Sequence, residues 1–316
     1  MTPEGEVPAL KAVGLTKRFG KGASAVTALN GVDLRVPSGG LMAFIGPDGA
    51  GKTPLFLILA TLIKPDGGRV FIGNSDVIRD YRKLRTEIGY MPERFSLYPD
   101  LTVRENIDFF ASIFNTTLDE NYSLIKDIYA RLEPFSDRKA GKLSGGMKQK
   151  LALCCALIHS PSVLLLDEPT TGVDPSSRRE FWEMLAKLRK ESGITMVVST
   201  AYMDEATRCD RIAMMYRGKL MKIGSVDEII STFDQPLMSV RSDTMFDLLS
   251  DLRELSDAEE CYTFGGDHHL RLRAGTSITP SRLEEMLEGR GLYGLKIDYC
   301  HPTIEDCFMY EASKIR

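Results

Sequence analysis

Eight residues, Gly46-Pro47-Asp48-Gly49-Ala50-Gly51-Lys52-Thr53, limit the fold more than any others in the 316-residue chain. They satisfy the pattern GxxxxGK[ST], which has its meaning where a strand runs into a loop and the loop opens a helix. That context is present. Pro37-Ser38-Gly39-Gly40 reads as a turn into Leu41-Met42-Ala43-Phe44-Ile45, a short apolar run of the kind that forms a buried strand. Leu55 to Ile63 reads as an apolar helix continuing to about Lys64, where Pro65-Asp66-Gly67-Gly68 forms a turn. The glycines let the backbone curl so that successive N–H groups converge on an anion. The helix N-terminus adds a partial positive charge there. Lys52 is placed to reach β- and γ-phosphates, and Thr53 to offer its hydroxyl to magnesium.

A second apolar strand, Val163-Leu164-Leu165-Leu166, ends in Asp167-Glu168. Beside a bound triphosphate the first acid holds magnesium, through water, and the second polarises the attacking water. Short strands are expected over residues 10–45, with alternation from Val26 to Val36, and another strand over Arg69 to Ile72. Residues 100 to about 160 show no strand pattern and read as a helical insert with segments near 102–115, 119–135 and 146–159. A helix over Ser176 to Glu191 and a buried strand over Thr195 to Ser199 restore the strand–helix alternation of a parallel sheet. The rhythm shortens after Gln235-Pro236, giving strand 237–242, helix 244–255, strands 259–264 and 268–273, helix 280–289 and strand 293–299. That βαββαβ order predicts a small ferredoxin-like α+β domain over 236–316, behind a cassette at 9–235 and a flexible start at 1–8. His268-His269 is expected to be a solvated strand start.

Leu143-Ser144-Gly145-Gly146-Met147-Lys148-Gln149-Lys150 precedes the acidic strand. With it the chain resembles the ATP-binding-cassette (ABC) ATPases over about residues 9–232, in motif content and in motif order. The resemblance implies an α/β P-loop NTPase cassette: a parallel-sheet core, an antiparallel β subdomain and a helical subdomain at about 95–160. It implies ATP and magnesium as cofactors. It also implies a head-to-tail dimer in which Ser144, Gly145 and Gly146 close on ATP held by the other cassette. By the same resemblance Phe19 stacks on adenine, and Asp174 belongs to the loop that communicates across the dimer. The stretch Phe95-Ser96-Leu97-Tyr98-Pro99-Asp100-Leu101-Thr102-Val103-Arg104-Glu105-Asn106 resembles the segment that docks a permease. His301-Pro302-Thr303-Ile304-Glu305-Asp306-Cys307-Phe308 resembles the tail of the drug- and polysaccharide-exporter branch, although a plain helix cap beginning at Thr303 also explains it.

Three positions depart from the family pattern. Glu93 stands where glutamine is usual, Ala201 where histidine is usual, and Pro54 where a second Ser or Thr is usual. Glu93 retains a carboxylate oxygen for magnesium but adds negative charge near the γ-phosphate and lacks an amide donor. Ala201 has no polar atom with which to meet the γ-phosphate. Pro54 lacks both an N–H and a hydroxyl, so an α-phosphate contact is lost, although proline in a first helical turn is tolerated. The catalytic set is therefore Glu168, with Glu93 and Ala201 as departures, and the metal set is Thr53, Asp167 and Glu93. Their clustering points to a degenerate site of this chain's own. Its intact signature would complete the site of a partner cassette, favouring a heterodimer over a homodimer.

Composition excludes other classes. Forty Lys and Arg against 44 Asp and Glu give a net charge of −4, which argues against a nucleic-acid partner. The longest uncharged apolar run, Leu55 to Ile63, is half of what a membrane span needs. The first eight residues do not read as a signal peptide. The six cysteines are scattered without CxxC pairs and read as reduced core thiols. Together with the resemblance, these features imply the cytoplasmic ATP-binding subunit of an exporter, peripheral on the inner face of the membrane and docked on separate multi-span permease chains. A regulatory pseudo-ATPase and a soluble ABC protein are the alternatives.

Overall fold

The computed structural model describes residues 7–94 and 96–315. Phe95 and most of the N-terminal stretch expected to be flexible lie outside the described residues. Two compact units divide between Val226 and Asp227, so residues 227–235 group with the second unit rather than the first.

In chain order the first unit contains β1 (Leu10–Phe19), β2 (Val26–Val36), β3 (Leu41–Ile45), α1 (Lys52–Leu59), β4 (Gly67–Ile72), β5 (Ser75–Asp76), α2 (Tyr81–Glu87) and β6 (Ile88–Met91). Then come α3 (Val103–Ile113), α4 (Leu118–Tyr129), α5 (Gly145–Leu157), β7 (Val163–Asp167), α6 (Pro175–Ser192), β8 (Thr195–Thr200), α7 (Met203–Ala206), β9 (Arg211–Tyr216) and β10 (Lys219–Gly224). A six-stranded sheet has the order β10-β9-β3-β8-β7-β6. It is parallel from β9 to β6, with β10 antiparallel at one edge. Strands β3, β7 and β8 are buried along their whole length, which is why their sequences run apolar instead of alternating. A second, four-stranded antiparallel sheet has the order β2-β1-β4-β5. Phe44 on β3 meets Phe56 on α1 edge to face, with ring centroids 5.9 Å apart, inside one continuous core.

The helical insert begins where the sequence places capping boxes. Thr102 and Thr117 each accept the N3 backbone N–H, and Glu105 and Glu120 return the bond. Buried Asn106 ties the preceding loop down: its amide donates to the carbonyls of Tyr98, Leu101 and Thr102 and accepts from the Tyr98 N–H. Helix α1 stops at Leu59, five residues before the expected Lys64, because Thr61 turns to φ +61°.

Helix α8 (Val226–Ile230) lies at the division between units. The second unit then has β11 (Leu237–Arg241), α9 (Met245–Arg253), β12 (Ala258–Phe264), β13 (Asp267–Leu272), α10 (Pro280–Glu288), β14 (Lys296–Tyr299) and α11 (Ile304–Ser313). Its sheet has the order β12-β13-β11-β14 with every neighbouring pair antiparallel, and Leu248, Leu252, Leu270, Leu283 and Leu287 form its core. The expectation of a solvated His268-His269 is corrected: both are buried. The His268 ring bonds the Met245 carbonyl, and His269 meets the buried Asp306 carboxylate at 2.8 Å. Asp306 also closes a capping box with Thr303 at the start of α11.

Candidate nucleotide site

Sheet register brings the sequence motifs to one edge. Ile45 pairs with Thr200, Asp167 with Ser199, and Met91 with Leu166. The phosphate loop, the acidic pair, Ala201 and the Pro92-Glu93 segment therefore all leave the carboxyl ends of adjacent parallel strands, where open α/β sheets bind ligands.

Two glycines in the loop are obligatory. Gly46 has φ 157°, and a Cβ there would lie 2.2 Å from the Met215 carbonyl oxygen; Gly51 has φ 105°, and its Cβ would lie 2.4 Å from the Ala28 carbonyl oxygen. The loop is thus wedged against the backbones of β2 and β9, and the Gly218 N–H bonds the Ala50 carbonyl at 2.9 Å. Gly51 caps α1, so Lys52 and Thr53 are its first residues and Pro54 its third. Pro54 takes a position whose N–H has no intrahelical acceptor, and the helix stays intact from the Leu55 N–H to Gly51 carbonyl bond at 3.2 Å. The buried Lys52 ammonium donates to the Gly46 carbonyl at 2.7 Å and lies 3.1 Å from Glu168 Oε1.

Asp167 is fully buried. Burial pushes its carboxyl up, the Ser199 and Thr53 hydroxyls pull it down, and the charges of Glu168 and Glu93 push it up again, leaving it above the usual carboxylate range. Ser199 Oγ donates to Asp167 Oδ1 at 2.5 Å and accepts the Glu168 N–H at 2.8 Å, so one hydroxyl fixes both acids. Asp167 Oδ2 is buried without a hydrogen-bond partner. Glu168 itself sits at φ +48°, a conformation that costs a non-glycine residue about 1–3 kcal/mol and that collects at functional sites. Burial and the charges of Asp167 and Glu93 all push the Tyr90 phenol up.

These residues fit magnesium carried in by a nucleotide. Among the described residues no cluster of three His, Cys, Asp or Glu is arranged to hold a metal ion alone. A partnerless buried carboxylate oxygen beside a threonine hydroxyl suits a cation that takes its remaining ligands from phosphates and water. Glu93 and Ala201 are both exposed at this edge.

The signature stands apart. Ser144 caps α5 by accepting the Met147 N–H at 3.3 Å, and Asp174 caps α6 by accepting the Ser177 N–H at 3.0 Å. That bond holds the Asp174 carboxyl below the usual range. The two helix starts pack together, since a Cβ on Gly146 would lie 2.6 Å from Ser177 Oγ. Ser144 and Gly145 are exposed. Phe19 is 43 % exposed at the end of β1, with the Lys17 ammonium 5.4 Å from its ring centroid. Among the described residues no hydrogen bond or ion pair joins Phe19, Ser144, Gly145, Gly146 or Asp174 to the phosphate loop. Sequence reasoning passed over Ser199, Thr170 and Glu205. The signal for Ser199 was a lone hydroxyl at the end of an otherwise apolar strand; Glu205 and Thr170 gave none.

The chain is similar to known proteins along most of its length. The family profile described as ABC transporter matches residues 29–171. The chain is 38 % identical over 301 residues to the probable multidrug ABC transporter ATP-binding protein YbhF of Escherichia coli (strain K12), covering 94 % of this chain and 50 % of that one. It therefore spans half the length of that relative. It is 31 % identical over 312 residues to Nod factor export ATP-binding protein I of Rhizobium sp. (strain N33), covering 95 % and 96 % of the two chains. Among solved structures, an ATP-binding cassette in a dimeric post-hydrolysis state bound to ADP and Pi is 28 % identical with a TM-score of 0.62, covering 68 % of this chain and 98 % of that one. CbiO1 from Clostridium perfringens, part of the ABC transporter complex cbiONQ, is 29 % identical with a TM-score of 0.63, covering 72 % and 92 %.

Proposed function

Since the chain belongs to the ABC transporter ATP-binding family, we propose that it is the ATP-binding subunit of an exporter whose membrane pore lies on separate permease chains. The observation that carries this reading is the Lys52–Glu168 contact of 3.1 Å at the mouth of the phosphate loop, beside the partnerless Asp167 Oδ2. Incoming phosphates would draw Lys52 away from the Gly46 carbonyl and from Glu168. Glu168 would then be free to accept a proton from an attacking water, from a backbone position set by the Ser199 hydroxyl. Magnesium bound with the nucleotide would neutralise charge at the β- and γ-phosphates, with Thr53, Asp167 and Glu93 as the residues that would hold it. Phe19, at the exposed end of β1, is available to stack on the base.

The three departures support a slow site of the chain's own. Ala201 offers no donor, Glu93 places a second negative charge beside Asp167, and Pro54 presents neither an N–H nor a hydroxyl to phosphate. Loss of one preorganised donor costs on the order of 10²–10³ in rate. The helix starts at Ser144 and Asp174 keep the family residues, and Ser144 and Gly145 face outward. We therefore read the chain as one half of an asymmetric pair, completing the ATP site of a consensus partner cassette.

A groove of about 450 Å³ between the sheet edge and the helical insert, lined by Tyr90, Pro92, Leu97, Phe110, Ile113 and Ala156, supports docking of an apolar permease element. No helix among the described residues is long and apolar enough to cross a membrane. The test is isolation of the chain from membranes under mild detergent. Co-purification of a multi-span membrane protein, weakened by Ile113→Asp, is expected. Recovery with ribosomes or DNA would overturn the reading.

A further inference from the structure

A buried carboxylate that none of the family motifs includes ties three parts of the site together. Glu205 lies on α7 and is 4 % exposed. Its Oε2 accepts the Thr170 hydroxyl at 2.8 Å, and Thr170 lies two residues after Glu168. The same oxygen accepts the Thr200 hydroxyl at 2.8 Å, and Thr200 immediately precedes Ala201. The Thr200 hydroxyl also accepts the Tyr202 N–H at 3.0 Å, which fixes the backbone on both sides of Ala201. The other oxygen, Oε1, is buried with no hydrogen-bond partner. Facing it at 3.9 Å is Nη1 of Arg178, which together with Nε is also buried and unpartnered. Arg178 stands on α6 one turn beyond the cap residue Asp174, whose carbonyl accepts the Arg178 N–H at 3.0 Å. Its guanidinium carbon lies 4.3 Å from the ring centroid of Tyr202, the residue after Ala201.

A buried acid and a half-buried guanidinium, with an unsatisfied oxygen of one facing an unsatisfied nitrogen of the other, are left one step short of a charge-assisted bond. Such a bond forms at about 2.7–2.9 Å, so closure needs a shift of only about 1 Å. An unsatisfied buried charged group is costly to maintain, so a motion that closes the gap recovers part of that cost. The groups able to move it are the segments Glu205 already holds, one beginning at the catalytic acid and the other at Ala201.

We propose that Glu205 is a positioning residue that passes the state of the phosphate-loop site to the helix start at Asp174 through Arg178. In a chain with no histidine at 201, this link gives the nucleotide a route to the dimer-facing loop that needs no side chain at that position. The inference rests on the reading of the chain as an ATP-binding subunit.

Hydrogen exchange of the full chain, with and without magnesium-ATP, tests both separately. In the natural protein ATP should slow exchange over residues 46–53 and also over 172–178. Glu205→Gln still accepts the two threonine hydroxyls but carries no charge toward Arg178. It should keep the slowing over 46–53 and lose that over 172–178, and Arg178→Met should do the same. Thr200→Val, which leaves the charge pair in place but cuts Glu205 from the segment before Ala201, should keep the slowing over 46–53 and weaken that over 172–178, and an undiminished response over 172–178 would exclude this segment from the link. A response over 172–178 that survives in Glu205→Gln and Arg178→Met overturns the proposal while leaving the ATP-binding reading intact. Loss of the response over 46–53 in Glu205→Gln also overturns it, because the residue would then serve the fold of the site alone. No slowing anywhere in the natural protein overturns the link and the ATP-binding reading together.

Discussion

Replacing Asp167 by Asn is expected to stabilise the protein without nucleotide while removing its response to magnesium-ATP. The carboxylate is fully buried, one oxygen is satisfied by Ser199 at 2.5 Å, and the other has no partner. A buried unsatisfied polar atom costs about 1–3 kcal/mol, and more when it is charged. Asparagine keeps the acceptor for Ser199, removes the charge, and turns a donor toward the Thr53 hydroxyl. A gain of about 1–2 kcal/mol follows, and at the size of the first unit each kcal/mol raises Tm by about 2–4 °C. Magnesium-ATP at 100 times its Kd adds about 2.7 kcal/mol to a protein that binds it. The variant should lose most of that increment because an amide is a poor ligand for magnesium. Thermal unfolding with ATP plus magnesium, ATP plus a chelator, and no nucleotide reads both effects. A variant less stable than the natural protein without nucleotide would refute the burial argument. An undiminished magnesium-dependent shift would refute the role of Asp167 as a metal-holding residue.

Two further expectations concern other parts of the molecule. Gly51→Ala should unfold at markedly lower denaturant concentration and lose ATP binding, since it adds about 1–2 kcal/mol of left-handed backbone strain and a Cβ 2.4 Å from the Ala28 carbonyl, the latter worth about 1–3 kcal/mol of overpacking; a nearly natural midpoint would contradict the wedged-loop geometry. In the second unit, burial pushes Asp306 up, but the hydrogen bonds from His269, Thr303 and Tyr262 outweigh it and hold the carboxyl below its ordinary value. A depressed carboxylate stabilises the fold above its unfolded pKa of about 3.9, and that contribution disappears as pH falls through the folded value. Circular dichroism melts from pH 5 down to 2 should therefore show the natural protein losing more stability over that interval than Asp306→Asn, and equal losses would exclude the carboxylate as the cause.

The parts of this fold that were legible in the sequence are those in which local chemistry and tertiary role agree. Leu41–Ile45 and Val163–Leu166 are apolar because both faces of the parallel sheet are covered, and the phosphate loop needs its glycines wherever it occurs. The Thr303 cap likewise marks a helix start without reference to neighbours. The hairpin joining β9 and β10 escaped because its turn is Arg217-Gly218. Both residues have positive φ, 49° and 76°, but arginine is not among the usual residues of that turn. Strand β6 escaped because Ile88-Gly89-Tyr90-Met91 is short and holds a glycine, whose Cβ would strike the Ala156 carbonyl at 2.3 Å. The histidine pair was misjudged for a related reason. Nothing local shows that Asp306, 37 residues away, meets His269 in the interior. Glu205 is invisible in the same way, since Thr170 and Thr200 reach it only after β7 and β8 have paired.

Steady-state ATP turnover of the purified chain alone tests the central claim most directly, measured beside Glu168→Gln and a variant carrying Glu93→Gln, Ala201→His and Pro54→Ser together. The asymmetric reading predicts very slow turnover by the natural chain and a rise on the order of 10² or more in the restored variant. Turnover near the ordinary enzyme range of about 10 s⁻¹, abolished by Glu168→Gln and unchanged by the three restorations, would contradict it.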